Sequence, residues 1–467
     1  MSIAVSGATG PQSVEELIQQ NWLKRKFEAA LFPALQWRRD VPVERWEQNR
    51  GQEMLMTRNG LIEPNTNPLT PGTDPTPSSY DSEQWRVIAQ QNGNTLDTSM
   101  PTSFVALRSL ALENANKLGL NAGQTINRII RDRLMTAYLG GQTNAINAVA
   151  AGLSQIPVAS VNGFTEQLFR GRPTPVSAVN PINVSFSTVG EPVNQVIGAS
   201  PADPSKPNGA GLITLAQPLT VGVAQRDVIN SQNQAVRRRS GGSASIDGIT
   251  ATSMLKVADL RAAVTRLRRT NVPTFPDGRY RCIIDPVGVD QLYADNEWQR
   301  LQQSLPDGAY KDFNLAGAFV DSLFIMDNET PNLETVNPDS LQETGGLSIG
   351  SSEIGADLVN ASGVPVARAI MFGMEQAVEY RIPEADYLTQ AGVTGQTGAM
   401  SGIQNGNYIV PTEGIRYIWR APLDRLQQVV SMSWSWSGDF GIPSDQTTGD
   451  GARFKRAVVI EHAGAGA

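Results

Sequence analysis

Between residues 103 and 150 apolar positions recur at intervals of three and four, the period of one face of an α-helix. Phe104, Leu107, Ala111, Ala115 and Leu118 form a first stripe; Ile126, Ile129, Ile130, Leu134 and Tyr138 form a second, with Arg128, Arg131 and Asp132 on other faces. Gly119 interrupts the run and Asn121 suits an N-cap, so the pattern predicts two helices in series, ended by Gly140 and Gly141. Another helical pattern, SVEELIQQNWLKRKFEAALF, opens at Ser13 with Glu16 placed as in a capping box and stops at Pro33. In MLKVADLRAAVTRLRRTNVP, Val257, Leu260, Val264 and Leu267 form the inner stripe and Arg261 and Arg268 the outer face.

Strand-like chemistry surrounds these helices. QEMLMTR and QWRVIAQQ flank a long stretch with five prolines between Pro64 and Pro77, which predicts a two-stranded finger with a stiff tip. An isolated hairpin is marginal in water, so such a finger needs something to lie on. From residue 151 to 250 short Val, Ile, Leu and Thr runs alternate with turn signals: INVSF, NQVIG and LITLAQPLTVGVA read as strands, with Asn208 and Gly209 as a hairpin signal. Between Pro173 and Gln225 the only charged residues are Glu191, Asp203 and Lys206, which marks an inserted β-rich module. YRCII reads as a buried strand, Asp285 and Pro286 open a short helix, and AFVDSLFIM is a further strand. QQVVSMSWSWSGDFGIP and ARFKRAVVIEHA are expected to return as two strands beside the long helices.

Composition narrows the chemistry. Hydrophobic residues at 40% and charged residues at 18%, with 43 Gly and 29 Pro in 467 residues, describe a folded, loop-rich chain. A net charge of −7 does not predict tight binding to a nucleic-acid backbone, which requires a basic face. No stretch approaches the length of a membrane span, and a cytosolic protein is expected. One cysteine, Cys282, excludes an internal disulfide and fits a buried strand thiol; one histidine, His462, excludes histidine metal clusters. There is no phosphate-binding G-x-x-x-x-G-K-[ST], and no carboxylate pair stands out by spacing, so no catalytic, cofactor or metal residue is nominated. PALQWRRDVPVERWEQNR suits an arm laid over a surface, with Trp37 and Trp46 packing either on their own domain or on a partner. For Arg237, Arg238 and Arg239, pairing with carboxylates of the same or a neighbouring chain is favoured over contact with DNA.

The segment GRYRCIIDPVGVDQLYADNEWQRLQQ, followed by NLAGAFVDSLFIMDNETP, and the closing VSMSWSWSGDFGIPSDQ with FKRAVVIEHA resemble the major capsid proteins of tailed bacteriophages, with their HK97-type fold. The resemblance covers most of the chain in layout and is specific in those two segments. It implies an α+β, HK97-like capsid fold: an N-terminal arm over 1–50, an E-loop hairpin over 51–100 and a P-domain spine helix over 101–150. A β-rich insertion over 151–254, an A-domain over 255–425 and P-domain closing strands over 426–467 complete it. It further implies a non-enzymatic subunit that self-assembles, as pentamers and hexamers in a closed icosahedral shell, around double-stranded DNA held without sequence-specific binding. The location implied is the virion, after assembly in the host bacterial cytoplasm, with scaffolding, decoration and portal proteins as partners and no membrane. Contacts between subunits are expected at Trp22, Trp37, Trp46, Leu61, Ile62, Tyr80, Trp85, Arg237, Arg238 and Arg239. No lysine lies between Lys26 and Lys117, so the isopeptide lock that some members make from the E-loop is not expected. Two alternatives stay open: a phage-associated hydrolase or surface-binding module, and a tail-tube or portal component.

Overall fold

The computed structural model describes residues 25–32, 35–47, 51–59, 82–99, 110–303, 318–319, 322–326, 364–382, 408–420, 428–443 and 456–464, apart from 170–171, 205–206, 233, 235–236, 244–245, 365 and 413, together with isolated positions between 62 and 80. The chain divides into two compact units, and elements are numbered along it. The first unit takes Met1–Met54, Val87–Ile130 and Val378–Phe440; the second takes Leu55–Arg86, Arg131–Ala377 and Gly441–Ala467.

In the first unit the organising strand is β23 (Val429–Gly441). Its alternation buries Val430, Met432, Trp434 and Trp436 on one face, the period-two signature of a strand laid on a core. Around it stand β22 (Ile415–Arg420), β21 (Tyr408–Thr412), β20 (Val378–Arg381), β1 (Val43–Arg45) and β4 (Gln90–Ser99). β4 pairs with β23 antiparallel from Ser99 against Val429 to Gln90 against Gly438. β1 runs parallel to β20.

The long helical segment is one helix, α2 (Leu110–Tyr138), and not two in series. Gly119 is inside it. A Cβ at that position would stand 2.4 Å from the carbonyl oxygen of Phe27, on helix α1 (residues 25–32), so the glycine is there to let two backbones approach and not to break the helix. Asn121 likewise caps nothing. Its Oδ1 accepts hydrogen bonds from Trp434 Nε1 at 2.9 Å and from Asn94 Nδ2 at 3.2 Å, tying the helix to β23 and β4. The inward stripes hold at Ala115, Leu118, Ile126, Ile130, Leu134 and Tyr138, all buried, while Phe104 and Leu107 lie outside the described residues.

The stretch expected to be a surface arm is part of this unit's core. Leu35, Trp37, Val41 and Trp46 are buried. Trp37 N donates to Asn127 Oδ1 on α2 at 2.8 Å, and Arg38 makes a two-pronged pair with Glu379 on β20, both contacts 2.7 Å. The physical reason is that an arginine forked onto a fully buried carboxylate must itself be buried. Of the first predicted helix, residues 25–32 are helical, with Phe27 and Leu31 buried and the Phe27 ring 4.9 Å from that of Tyr417.

The second unit contains the β-rich module. Strands β5 (Gln142–Asn144), β14 (Val228–Ser231), β10 (Ile182–Phe186), β11 (Asn194–Pro201), β12 (Gly211–Leu215) and β7 (Gln155–Val158) follow one another in that spatial order, antiparallel throughout. The two edges then meet. Ala145 bridges Val158, Ile146 N donates to Pro157 O and Ala159 N to Asn144 O, each at 2.9 Å, so the sheet closes on itself as a small six-stranded barrel. Its interior is filled by Ile156, Val158, Ile182, Val184, Val196, Ile213, Leu215 and Ile229. The turn carrying Asn208 and Gly209 joins β11 to β12, as the hairpin signal predicts.

The other sheet of this unit has the order β15 (Arg237–Arg239), β24 (Ala457–Ala463), β19 (Val366–Phe372), β16 (Tyr280–Ile284), β18 (Ser322–Met326) and β17 (Ala318–Phe319). Helix α3 (Val257–Arg269) buries all four predicted stripe residues, Val257, Leu260, Val264 and Leu267, against Cys282, Ile284, Met371, Val458 and Ile460. Asp285 caps α4 (Pro286–Ala294) as predicted, its Oδ1 accepting from Gly288 N at 3.0 Å. The closing strands do not stay together: β23 enters the first unit's sheet beside α2, whereas β24 enters this one between β15 and β19. β24 is apolar on both faces apart from Glu461 and His462, which suits an interior strand covered on both sides.

Candidate functional site

Three arrangements were open to chemistry, and the first is the buried charge of the second unit. Strand alternation sends Arg237 and Arg239 of β15 to one face of the sheet and Arg238 to the other. Arg238 meets Asp259 of α3, Nε to Oδ1 3.1 Å, and Ser240 Oγ donates to the other oxygen of that carboxylate at 2.8 Å. On the opposite face Glu461 receives Arg239 Nε at 2.8 Å and Arg368 Nε at 3.2 Å. Burial alone would raise the Glu461 carboxyl, but the charges of Arg239, Arg368 and Arg237 outweigh it and hold it at about 2. Arg237 is driven down to about 10, first by burial and then by Arg239 and Arg368, with Glu461 opposing. Its Nη2 donates to the carbonyls of Leu139 and Gly140, and Arg239 Nη2 donates to Gln142 Oε1. The chain enters the barrel at residues 139–142 and leaves it at 237–239, so this network clamps entrance to exit. Gly141 and Gly163 allow the close passage, since a Cβ on Gly141 would meet Gln234 Cα at 2.6 Å.

The groups that carry acid-base or nucleophilic chemistry elsewhere are similarly consumed. Cys282 is fully buried and its thiol is pushed up to about 12 by that burial, so it is not a thiolate at neutral pH. His462 Nε2 lies 3.5 Å from Asp285 Oδ1 with both side chains buried, and Asp285 is already a helix cap. Glu379 takes Arg38 and Trp436 Nε1, the latter at 3.2 Å. Among the described residues no group of three or more His, Cys, Asp or Glu is placed to hold a metal ion, and no helix is long and apolar enough to cross a membrane.

The third arrangement is the finger. Among the described residues β2 (Glu53–Asn59) and β3 (Ser82–Ile88) form a sheet of two strands. Ala89 N donates to Gln52 O at 2.9 Å and Gln84 Nε2 to Thr57 Oγ1 at 3.1 Å, contacts that set the strands antiparallel. Trp85 is buried with the Arg58 guanidinium 5.5 Å from its ring centre, and Arg58 Nη2 donates to Glu375 O at 3.1 Å. Arg86 pairs with Glu166 at 2.8 Å, where both are substantially exposed. Leu55 stands 45% exposed, Ile62 57% and Tyr80 54%.

The residues predicted to touch neighbouring subunits therefore separate. Trp37, Trp46, Trp85 and Arg239 are buried within the chain, Arg237 is half-buried in the clamp, and Arg238 is exposed but paired with Asp259. Ile62 and Tyr80 present open apolar surface, and Trp22 and Leu61 lie outside the described residues. Sequence reading missed Glu461, Arg368, Gln142, Arg38 and Glu379. A signal existed for the first: a glutamate inside the apolar run AVVIEHA has to be paired if the strand is buried.

No protein-family model matches the chain, and no curated protein matches it. Among solved structures it is similar to the capsid of Ralstonia phage GP4, at 12% identity over 90% of this chain and 87% of that one, with a TM-score of 0.45. It is similar also to the capsid asymmetric unit of cyanophage Pam1, at 11% identity over 100% of this chain and 97% of that one, TM-score 0.44. A third is the head of Helicobacter pylori bacteriophage KHP40, at 10% identity over 91% and 88%, TM-score 0.41.

Proposed function

We propose that this chain is a major capsid protein: a structural subunit that assembles with copies of itself into the icosahedral head shell of a tailed bacteriophage around packaged double-stranded DNA. The observation that carries the reading is the finger. Two seven-residue strands with no third beside them among the described residues, with Leu55 exposed on the first and Ile62 and Tyr80 exposed between them, make a ribbon that is marginal in water and acquires a partner when laid across a neighbouring subunit. Obligate assemblies typically bury roughly 2,000 to 5,000 Å² per interface, and an extended ribbon adds such area without enlarging the core. The rest of the molecule supports the same reading. Glu379, Glu461 and Asp259 are taken by arginines, Asp285 caps a helix, and the cysteine is buried and inert.

In this reading subunits form pentamers and hexamers as head-to-tail rings that close. The net charge of −7 suits a wall that encloses DNA without gripping it. Assembly takes place in the host bacterial cytoplasm with separate scaffolding and portal proteins, and a decoration protein supplies stability where no covalent lock exists. The chain has no catalytic role. The test is to express the chain alone and together with its neighbouring phage genes, then measure particle size by sedimentation and view the fractions by negative-stain electron microscopy. Closed shells with pentameric and hexameric clusters are expected. A species of one to four chains under every condition overturns the reading, and open rings or tubes assign the chain to a portal or tail instead.

A further inference from the structure

Helix α3 carries its charge on the side turned away from the core. From Leu260 to Cys282 the sequence holds Arg261, Arg266, Arg268, Arg269, Arg279 and Arg281 against one acidic residue, Asp277. Arg261 Nη1 lies 2.7 Å from Glu297 of α5 (Asn296–Gln303), and Arg281 Nη1 lies 2.7 Å from Asp277. Arg266, Arg268 and Arg269, in the last turn of α3, and Arg279, just before β16, are exposed. Cations suit a helix C-terminus, yet the carbonyls there are already served. Arg266 O accepts from Thr270 N and from Thr270 Oγ1, each at 3.1 Å, while Arg268 O accepts from Asn271 N and Leu267 O from Val272 N, each at 3.0 Å. The arginine side chains are therefore not needed as caps. Leu260, Val264 and Leu267 on the inner side of the helix are buried in the core, so the basic side stands on a fixed support.

We propose that this arginine face is a contact surface for the phosphate backbone of double-stranded DNA, on the inner side of the shell proposed above, on which the inference rests. A guanidinium forks onto a phosphate with two parallel hydrogen bonds, and a row of them on one helix side matches a row of phosphates. Charge density selects the occupant. From Arg261 to Arg269 the helix spans about 12 Å, and a duplex presents about seven phosphate charges over that length. A second copy of this chain offers a sparser match: Glu113 faces Lys117 at 3.3 Å, Glu166 faces Arg86 at 2.8 Å and Glu375 faces Arg456 at 2.7 Å, while the acids of the finger are dispersed from Glu53 to Glu83. A wall of net charge −7 per chain repels DNA as a whole, so a duplex comes to rest where the sign is locally reversed. The contact reads no sequence, since phosphates carry none. In one chain it is weak, with non-specific dissociation constants typically about 10⁻⁴ to 10⁻⁶ M at physiological salt, and it gains strength from many copies lining one cavity.

The test combines Arg266→Gln, Arg268→Gln and Arg269→Gln, beside a control with the same loss of charge at the exposed positions Arg39→Gln, Arg45→Gln and Arg172→Gln. Full-length chain dissociated from shells is titrated against a short fluorescent duplex over a range of salt. The α3 variant is expected to bind at least about tenfold more weakly at low salt, with a slope of log affinity against log salt shallower by about 2.7, three contacts at about 0.9 each; the control is expected to bind as wild type does. A second measurement places Arg268→Cys in filled heads, where the native thiol at Cys282 is buried and gives no background. A small thiol-reactive aryl azide is attached and irradiated. A link from chain to DNA is expected, whereas a bulky polymer maleimide added outside intact heads leaves the thiol unlabelled. Absence of salt-dependent binding in wild type, an α3 variant that binds as tightly, a link to protein alone, or a thiol open to the outer reagent each overturns this proposal and leaves the capsid reading standing. A wild-type chain that never passes beyond small oligomers overturns the capsid reading and, with it, the assignment to packaged DNA.

Discussion

The finger and the barrel are both antiparallel elements, yet one is closed and the other is not. In the barrel Ala145 meets Val158, so every strand has two neighbours and the interior fills with Ile, Val and Leu. In the finger β2 and β3 have each other and no third strand among the described residues, and apolar side chains stand in the open. The difference is one of where hydrogen-bonding capacity and apolar area are satisfied: inside the chain for the barrel and, in the proposed assembly, on a neighbouring subunit for the finger. The barrel satisfies itself within the chain, whereas the finger, in the shell proposed above, is the element that a neighbouring subunit would cover.

Removing the finger is the strongest way to break this comparison. A chain in which residues 55–86 are replaced by a short Gly/Ser turn is expected to keep its barrel and its tryptophan-bearing sheet, read as retained far- and near-ultraviolet circular dichroism, and to lose assembly altogether in sedimentation. Shells formed at wild-type yield by this deletion would show that the ribbon is dispensable and leave the assembly reading without its main support.

The next largest effect concerns how the closed element is seated. Glu461→Gln leaves Arg237, Arg239 and Arg368 facing one another with no counter-charge, and breaking a buried pair in this way costs about 3 to 5 kcal/mol. The loss is read as a lowered urea midpoint. The same group gives a pH signature. Its folded carboxyl lies near 2 against an ordinary 4.5, so its contribution is complete above about 4.5 and disappears as pH falls from there towards 2. Wild-type stability is expected to decline through that window and the Glu461→Gln variant to decline less. Equal slopes in the two proteins would mean that the clamp is not what fails in acid.

Much of this layout was legible in the sequence, and the gaps have physical reasons. Periodicity found α3 with all four inner residues, β16, the Asp285 cap, the Asn208-Gly209 hairpin and the charge-poor module, because each depends on local pattern. It misread Gly119, since a glycine breaking a helix and a glycine admitting Phe27 O look the same along the chain. It also misread the stretch 35–46, because so many charges suggested a surface, whereas the Arg38 charge is consumed by Glu379, 341 residues away. The clamp at Glu461 joins residues 142, 239, 368 and 461, a long-range coincidence that no local pattern carries. Whether the barrel closes is likewise decided by a single bridge.

Gly119→Ala tests the packing of α1 on α2 within the first unit. Alanine gains about 1 kcal/mol of helix propensity, and overpacking against a backbone oxygen at 2.4 Å costs about 1 to 3 kcal/mol. The clash is with backbone and not with a side chain able to swing away, so net destabilisation is expected, on the order of 1 kcal/mol in chemical denaturation. A more stable variant would mean that α1 moves off α2 at little cost.

The smallest effect sharpens the comparison where the finger touches a hairpin of the β-rich module outside the barrel. Arg86 on β3 and Glu166 on the β8 (Glu166–Phe169) hairpin pair at 2.8 Å, but both side chains are more than a third exposed, at 39% and 36%. Water and salt screen such a pair, and its contribution is expected below about 1 kcal/mol. Arg86→Ala should therefore leave the denaturant midpoint of the free chain nearly unchanged, with any difference vanishing in high salt. If the finger is an interface element, its position in the free chain need not be fixed by strong internal contacts, and a weak, screened pair fits that requirement. A large loss of stability in Arg86→Ala, persisting in high salt, would mean instead that the finger is held by its own chain and that the contrast with the barrel is one of degree.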